Sequence, residues 1–201
     1  MKKLAMKQKI MDAVIDALRR KEFHECLIDE IAETAGIGKG TIYLYFKSKE
    51  ELYISLLVHM IEAMREIVDG IIISDAGRQD KLSMMLLRLQ DFISGNSHVL
   101  LMMREQAKPS KGRLHDKIHK AFEDLLSSMS SVVDEGIRLG RLKKYPSMLV
   151  SSLFLSSLIS AAHFAKKTGA SLSKASPELI ADILMKGVEI TRHRKGVFHD
   201  K

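Results

Sequence analysis

Apolar positions recur at helical spacing along most of this chain. Between about Met6 and Arg20, the residues Ile10, Ala13, Val14, Ala17 and Leu18 fall at i, i+3, i+4, i+7 and i+8, which is one face of a helix. A short helix follows from about Ile28 to Ala35, ended by Gly36, which can take up left-handed backbone. A third begins near Lys39. Glu50 opens a longer amphipathic stretch through Leu52, Leu56, Leu57, Met60, Ile61, Met64 and Ile67, which runs to about Ile73 and the polar Ser74-Asp75-Ala76-Gly77. Beyond it, Asp80 to Ser94, His98 to Lys108 and Gly112 to Leu139 read as helices, separated by the breakers Gly95-Asn96 and Pro109-Ser110-Lys111. Pro146 precedes an apolar-rich helix over Ser147 to Lys167. Ser176 and Pro177 provide an N-cap and a first-turn proline for a last helix ending near His193. Long alternation of strand period is absent, as are repeats. The predicted fold class is all-α.

The segment from Ile28 to Lys47 has the pattern of two short crossing helices. Ala32 is small enough for close approach, Gly36 serves the tight turn, and Ile31, Ile37, Ile42 and Phe46 fill the wedge between the helices. The remaining residues of the third helix then face outward: Lys39, Gly40, Thr41, Tyr43, Leu44 and Tyr45, with Lys47 and Lys49 just after it. Such a helix fits a major groove about 12 Å wide. Gly40 permits close backbone approach, and Thr41 offers a hydroxyl and a methyl to base edges. Tyr43, Tyr45 and Lys49 are suited to phosphate oxygens. Lys2, Lys3, Lys7 and Lys9 add candidate phosphate or minor-groove contacts. The spacing also fits an ordinary αα-hairpin in which the tyrosines pack.

Composition narrows the partners and the compartment. With 201 residues, 46% of them hydrophobic and 28% charged, the chain can bury a core and is not of disordered type. A net charge of +7 suits a polyanionic partner without requiring one. The single Cys26 rules out an intramolecular disulfide framework and points to a reducing, cytoplasmic setting. Lys7, Lys9 and Asp12 interrupt any signal-peptide core after Met1-Lys2-Lys3-Leu4. Met148 to Ala165, broken by serines and His163, falls short of the ~20 largely apolar residues that span a bilayer. It is expected to be a buried helix, with no membrane partner. No nucleophile-base constellation or phosphate-cradling glycine loop appears, so an enzyme is not expected and no cofactor is implied.

The string from Ile31 to Leu52, Ile-Ala-Glu-Thr-Ala-Gly-Ile-Gly-Lys-Gly-Thr-Ile-Tyr-Leu-Tyr-Phe-Lys-Ser-Lys-Glu-Glu-Leu, closely resembles the signature of the TetR family of bacterial transcriptional regulators. The resemblance extends over Ile10 to Leu57. It implies operator contacts at Gly40, Thr41, Tyr43, Tyr45 and Lys49, to which the outward-facing pattern adds Lys39. Two departures stand out. Cys26-Leu27 occupies the place of the family's usual Thr-Thr pair, so a hydroxyl N-cap and its phosphate contact should be missing. Gly38 replaces the usual serine before the third helix and makes a tolerable but unselective cap.

The expected organisation is a three-helix, helix-turn-helix DNA-binding domain over residues 1–48, and a helical bundle for effector binding and dimerisation over residues 49–201. Ser147 to Lys167 is apolar almost all round, with a stripe of Ser152, Ser156, Ser160 and His163, and therefore needs cover on two sides. Leu153, Ser156 and Ser160, with Ile180, Ile183, Leu184 and Val188 of the last helix, are the candidate homodimer interface. The twofold argument is independent of these residues, since two half-sites about 34 Å apart need two reading heads.

Met64, Met84, Met102, Met103 and Met129 are candidate lining for an effector pocket, because thioethers adapt to irregular apolar shapes. Each also fits plain core packing. Arg104, His115, His119 and His163 are the polar candidates. His115 and His119, at i and i+4 with Glu123 one turn on, have metal-ligand spacing, but without an established third ligand no metal site is assigned. The expected function is that of a regulator, most readily a repressor, released from double-stranded operator DNA by a small apolar or amphipathic effector. A helical protein-interaction scaffold and a sequence-tolerant DNA-packaging protein are the alternatives.

Overall fold

The computed structural model of the chain describes residues 2–21, 25–74, 81–97, 99, 113–168, 182, 183 and 186. The regular elements among these are all α-helices: α1 (Lys2–Leu18), α2 (Ile28–Thr34), α3 (Lys39–Tyr45), α4 (Lys49–Ile73), α5 (Lys81–Gly95), α6 (Arg113–Arg138) and α7 (Ser147–Thr168). The expected helix over 98–108 lies outside the described residues apart from Val99, which is helical and buried. So does the expected last helix, apart from Asp182, Ile183 and Lys186.

In the N-terminal unit α1 packs on α2, and α2 on α3. Ile10, Val14 and Leu18 of α1 are buried with Ile28, Ile31 and Ala32 of α2 and with Ile42 and Phe46 at α3. The turn between α2 and α3 closes on Gly36, whose φ of 59° lies in the left-handed region. Its N–H donates to the Glu33 carbonyl at 2.9 Å, and that of Ile37 donates to the Ala32 carbonyl at 2.9 Å. This pair of bonds satisfies the carbonyls left over at the end of α2.

Helix starts depart modestly from the sequence expectation, and capping explains one of them. α4 begins at Lys49 because Ser48 is its N-cap, the Ser48 hydroxyl accepting the Glu51 N–H at 3.0 Å. The Glu51 carboxylate reaches back to the Lys47 N–H at 2.8 Å, so serine and glutamate together satisfy two donors at the helix entry. α2 has no hydroxyl cap, as Leu27 implies. Glu30 supplies part of what is missing by accepting the Leu27 N–H at 3.4 Å while pairing with Lys21 at 2.6 Å. α1 starts at Lys2 rather than near Met6, because Lys2-Lys3-Leu4-Ala5 contains good helix formers and no breaker. Gly95, expected to be a breaker, is the last residue of α5.

α4 is buried along its length by Leu52, Leu56, Leu57, Met60, Ile61, Met64, Val68 and Ile71, and packs against α5 and α6. α6 presents Ala121, Leu125, Met129, Val132 and Val133 to the interior, while its opposite face carries charge. α7 closes the bundle against α6 and α5 with Val150, Phe154, Leu155, Leu158 and Ala162. One continuous apolar core joins the N-terminal unit to this bundle.

The expectation that α7 falls short of a membrane span needs correction. By length and composition Ser147–Ala165 could cross a bilayer, with a mean hydropathy of 1.6, yet only 33% of that stretch is buried inside the fold. The serines do not bring its mean hydropathy below what a membrane span requires. The stretch packs on α5 and α6 along one side and leaves Met148, Leu149, Leu153 and Phe164 exposed on the other.

The turn from α6 towards α7 depends on close approach at Gly136. Gly140 takes a φ of 67°, and the N–H groups of Arg141 and Leu142 return to the Gly136 carbonyl at 3.0 and 3.3 Å. A Cβ on Gly136 would lie 2.6 Å from Leu142 Cδ1 and 2.9 Å from its Cγ, and Leu142 is itself buried. Replacing a mid-helix glycine with alanine ordinarily stabilises a helix by ~1 kcal/mol. Here overpacking costs about 1–3 kcal/mol and prevails. Gly136→Ala is therefore expected to lower the thermal unfolding midpoint; a raised midpoint would show that Leu142 repacks freely.

Candidate nucleic-acid interface

α3 has seven residues, and only Ile42 among them is fully buried. At 100° per residue, Gly40 and Leu44 lie opposite Ile42, and Thr41 and Tyr43 flank them. Tyr43 is 45% exposed and Leu44 82% exposed. No atom lies within 4 Å of where a Gly40 Cβ would stand, so the glycine leaves the centre of this face open. Gly38 caps the helix in extended backbone without a side-chain bond.

The six residues expected to meet DNA sit in different surroundings. Gly40 and Tyr43 are presented outward, whereas Thr41, Tyr45 and Lys49 are half-buried and Tyr45 packs on the core. Lys39 is exposed but paired with Asp29 of α2 at 2.9 Å, and this contact holds its ammonium pKa above the usual lysine value. Both partners face solvent, so the pair is weak and Lys39 can exchange Asp29 for a phosphate. Among the N-terminal lysines, Lys7 lies over the Phe46 ring, 5.8 Å from its centroid, and Lys9 points towards the turn at Gly36. Lys7 thus braces the head as well as adding charge.

Cys26 and Glu30 support the head from behind. Burial pushes the Cys26 thiol above its ordinary value, partly opposed by the positive charge of Lys49. It therefore remains a thiol at neutral pH and packs as a small apolar group. The Lys21 ammonium, then the Leu27 N–H, hold the Glu30 carboxyl below the usual glutamate value. Its stabilising effect is present above the unfolded-state pKa and is lost as pH falls through the depressed folded value.

In the body, Met64 and Met129 are fully buried and Met84 is half-buried against the core. His163 is half-buried on α7 and His119 is exposed on α6, so the structure does not bring His119 into the interior. Met102, Met103, Arg104 and the side chain of His115 lie outside the described residues. On α7, Leu153 is 57% exposed and Ser156 and Ser160 are exposed, as is Ile183 beyond it. Ile180, Leu184 and Val188 lie outside the described residues.

Two features of the body escaped sequence reasoning. Gln90 Nε2 on α5 and Ser151 Oγ on α7 are buried in the apolar core without a hydrogen-bond partner. Their signal in the sequence is a polar residue on the apolar face of each helix. Between α4 and α6 a cleft of about 510 Å³ is lined by Val58, Glu62, Arg65, Lys117, Lys120 and Asp124, among others. Arg65 meets Asp124 across it at 3.7 Å, and Asp124 also pairs with Lys120 one turn away on α6 at 2.6 Å. That juxtaposition depends on how two distant helices pack.

Residues 10–56 match the family model described as bacterial regulatory proteins, tetR family. The N-terminal unit is thus similar to the DNA-binding region of TetR-family regulators. By this similarity the chain is a DNA-binding transcriptional regulator. The fatty acid metabolism regulator protein of Bacillus subtilis is 28% identical over 145 residues, covering 69% of this chain and 75% of that protein. The solved structure of the Bacillus subtilis regulator FadR in complex with stearoyl-CoA superposes with a TM-score of 0.74 at 22% identity, covering 90% of this chain and 99% of the other. A fatty acid metabolism regulator of Clostridium perfringens gives a TM-score of 0.71 at 20% identity over 91% of this chain and all of the other, 100%. These superpositions establish the shared fold.

Gly40→Ala separates reading from folding. The added methyl meets nothing in the free protein and improves helix propensity, so thermal stability should hold or rise by up to ~1 kcal/mol. Affinity for the operator should fall at least several-fold in a fluorescence anisotropy titration. Unchanged affinity would remove the open face of α3 from the DNA interface.

Proposed function

We propose that this regulator is a cytoplasmic, homodimeric repressor of lipid-metabolism genes, released from a pseudo-palindromic operator by a long-chain fatty acyl thioester. Residues 1–48 form its reading head and residues 49–201 its effector and dimer body. The observation that carries this reading is the reach of the similarity to the fatty acid metabolism regulator. It spans 145 residues, far beyond the 10–56 of the reading head, and a related protein of the same fold holds stearoyl-CoA.

The body has suitable chemistry for such a molecule. Its apolar core is rich in methionine at Met64, Met84, Met85 and Met129, which can yield to an acyl chain. Gln90 and Ser151 hold unpaired polar atoms in that core, where a thioester carbonyl would recover the free energy that orphaned groups forgo. Met102, Met103, Arg104, His115 and His163 remain candidates for the rest of the lining. An effector that prefers the spacing of heads unable to fit the operator would act through α4. A coupling of ~1–3 kcal/mol corresponds to about 5–150-fold in affinity.

The experiment begins with selection of genomic fragments by the full-length protein at physiological salt. A few pseudo-palindromic upstream sites should be enriched. Anisotropy titrations of a recovered site should then show stearoyl-CoA weakening the complex by about 5–150-fold, with coenzyme A alone ineffective. Specific binding that ignores stearoyl-CoA would remove the effector assignment and leave the regulator. Uniform enrichment with a steep salt slope would favour a packaging protein, and no binding would favour a scaffold.

The exposed face of α7 is the proposed dimer surface, where Leu153, Ser156 and Ser160 continue the line of Leu149. Ile180, Ile183, Leu184 and Val188 would complete it. Leu153→Glu is expected to yield a folded monomer by analytical ultracentrifugation, with operator affinity reduced by orders of magnitude because one head binds one half-site. A dimer that persists unchanged would place the interface elsewhere.

A further inference from the structure

We propose that Leu44 reads sequence, by apolar contact with the C5-methyl group of thymine in the major groove. The inference rests on the regulator reading above and adds what the reading head recognises. Leu44 is 82% exposed at the centre of the outward face of α3, opposite the buried Ile42. A leucine there gains nothing for the fold. One turn earlier the space over Gly40 is open, so the helix can settle deeply enough for a branched apolar side chain to reach the base edges.

The chemistry of the rest of α3 points the same way. Its sequence, Lys-Gly-Thr-Ile-Tyr-Leu-Tyr, contains no Asn or Gln to pair with adenine, no Arg to pair with guanine, and no carboxylate to accept from cytosine. Its one cation, Lys39, which pairs with Asp29 at 2.9 Å in the free protein, is suited to a phosphate and so to positioning rather than reading. Thr41, whose methyl is another candidate for thymine, is half-buried, and Tyr45 packs on the core. Tyr43 is better suited to a phosphate, since one hydroxyl reads the duplex without bidentate geometry. Leu44 is the group left with both reach and exposure, and thymine is the base that offers a methyl to meet it.

The test uses the operator duplex recovered from genomic selection, with each thymine replaced in turn by deoxyuridine, which removes the methyl group alone. For the wild-type protein, replacement at one position in each half-site should weaken binding about fourfold per contact, the effect expected for one buried methyl. Leu44→Ala, at an exposed site, should keep its thermal midpoint and bind the thymine and uracil duplexes equally. It should also lose its preference for thymine at that position in a repeated selection. A uracil penalty that persists in Leu44→Ala would assign methyl reading to another residue and overturn the proposal. So would a wild-type protein indifferent to uracil at every position. If the wild type selects no operator at all, the regulator reading itself fails, and this inference with it.

Discussion

The burial of α4 is the constraint on which the rest of the molecule depends. This helix of 25 residues starts at Lys49, capped by Ser48 just after α3, and runs into the bundle. Leu52 and Leu56, near its start, and Met64, Val68 and Ile71, further on, belong to one apolar core. Each fully buried side chain of this kind contributes ~1.5–3 kcal/mol of transfer free energy. A helix held at many such points moves as a body rather than bending. Displacement at its α5 and α6 contacts must therefore be felt where α3 joins it.

The N-terminal unit shows how much of a recognition signature serves folding. Ala32, Gly36, Ile42 and Phe46 shape the turn and its core, and Ser48 with Glu51 sets where α4 begins. What remains for the proposed DNA contact is a small outward face centred on Gly40 and Leu44, flanked by tyrosine and lysine. The departures from the usual family pattern are absorbed within the same unit. Cys26 is buried as a neutral thiol, and Glu30 takes over part of the capping that Leu27 cannot provide.

The body holds its polarity in unusual places. Charged groups line the α4–α6 cleft, Arg65 pairing with Asp124 across it and Lys120 with Asp124 along α6, but these pairs are too solvent-exposed to contribute much stability. Gln90 and Ser151 are the reverse: few in number, buried and unpaired. Polar atoms left without partners in an apolar core lower the stability of the ligand-free protein. A core with such atoms has something to gain from a ligand that supplies their partners, which makes ligand binding and helix packing one equilibrium.

The sequence by itself determined the described helices, the turn at Gly36, the resemblance to a family of regulators, and the residues that could face outward on α3. It could do so because helical periodicity, glycine in a tight turn and a short signature are local properties of the chain. The tertiary structure decided which of those residues are free to act. It showed that Tyr45 packs inward, that Lys39 leans on Asp29 and Lys7 on Phe46, and that Leu44 stands exposed. It also left one apolar side of α7 exposed within the single chain, and brought Arg65 to Asp124 across two helices distant in the chain. A residue's neighbours depend on how elements pack, and packing sums many weak contacts between segments that no local pattern relates.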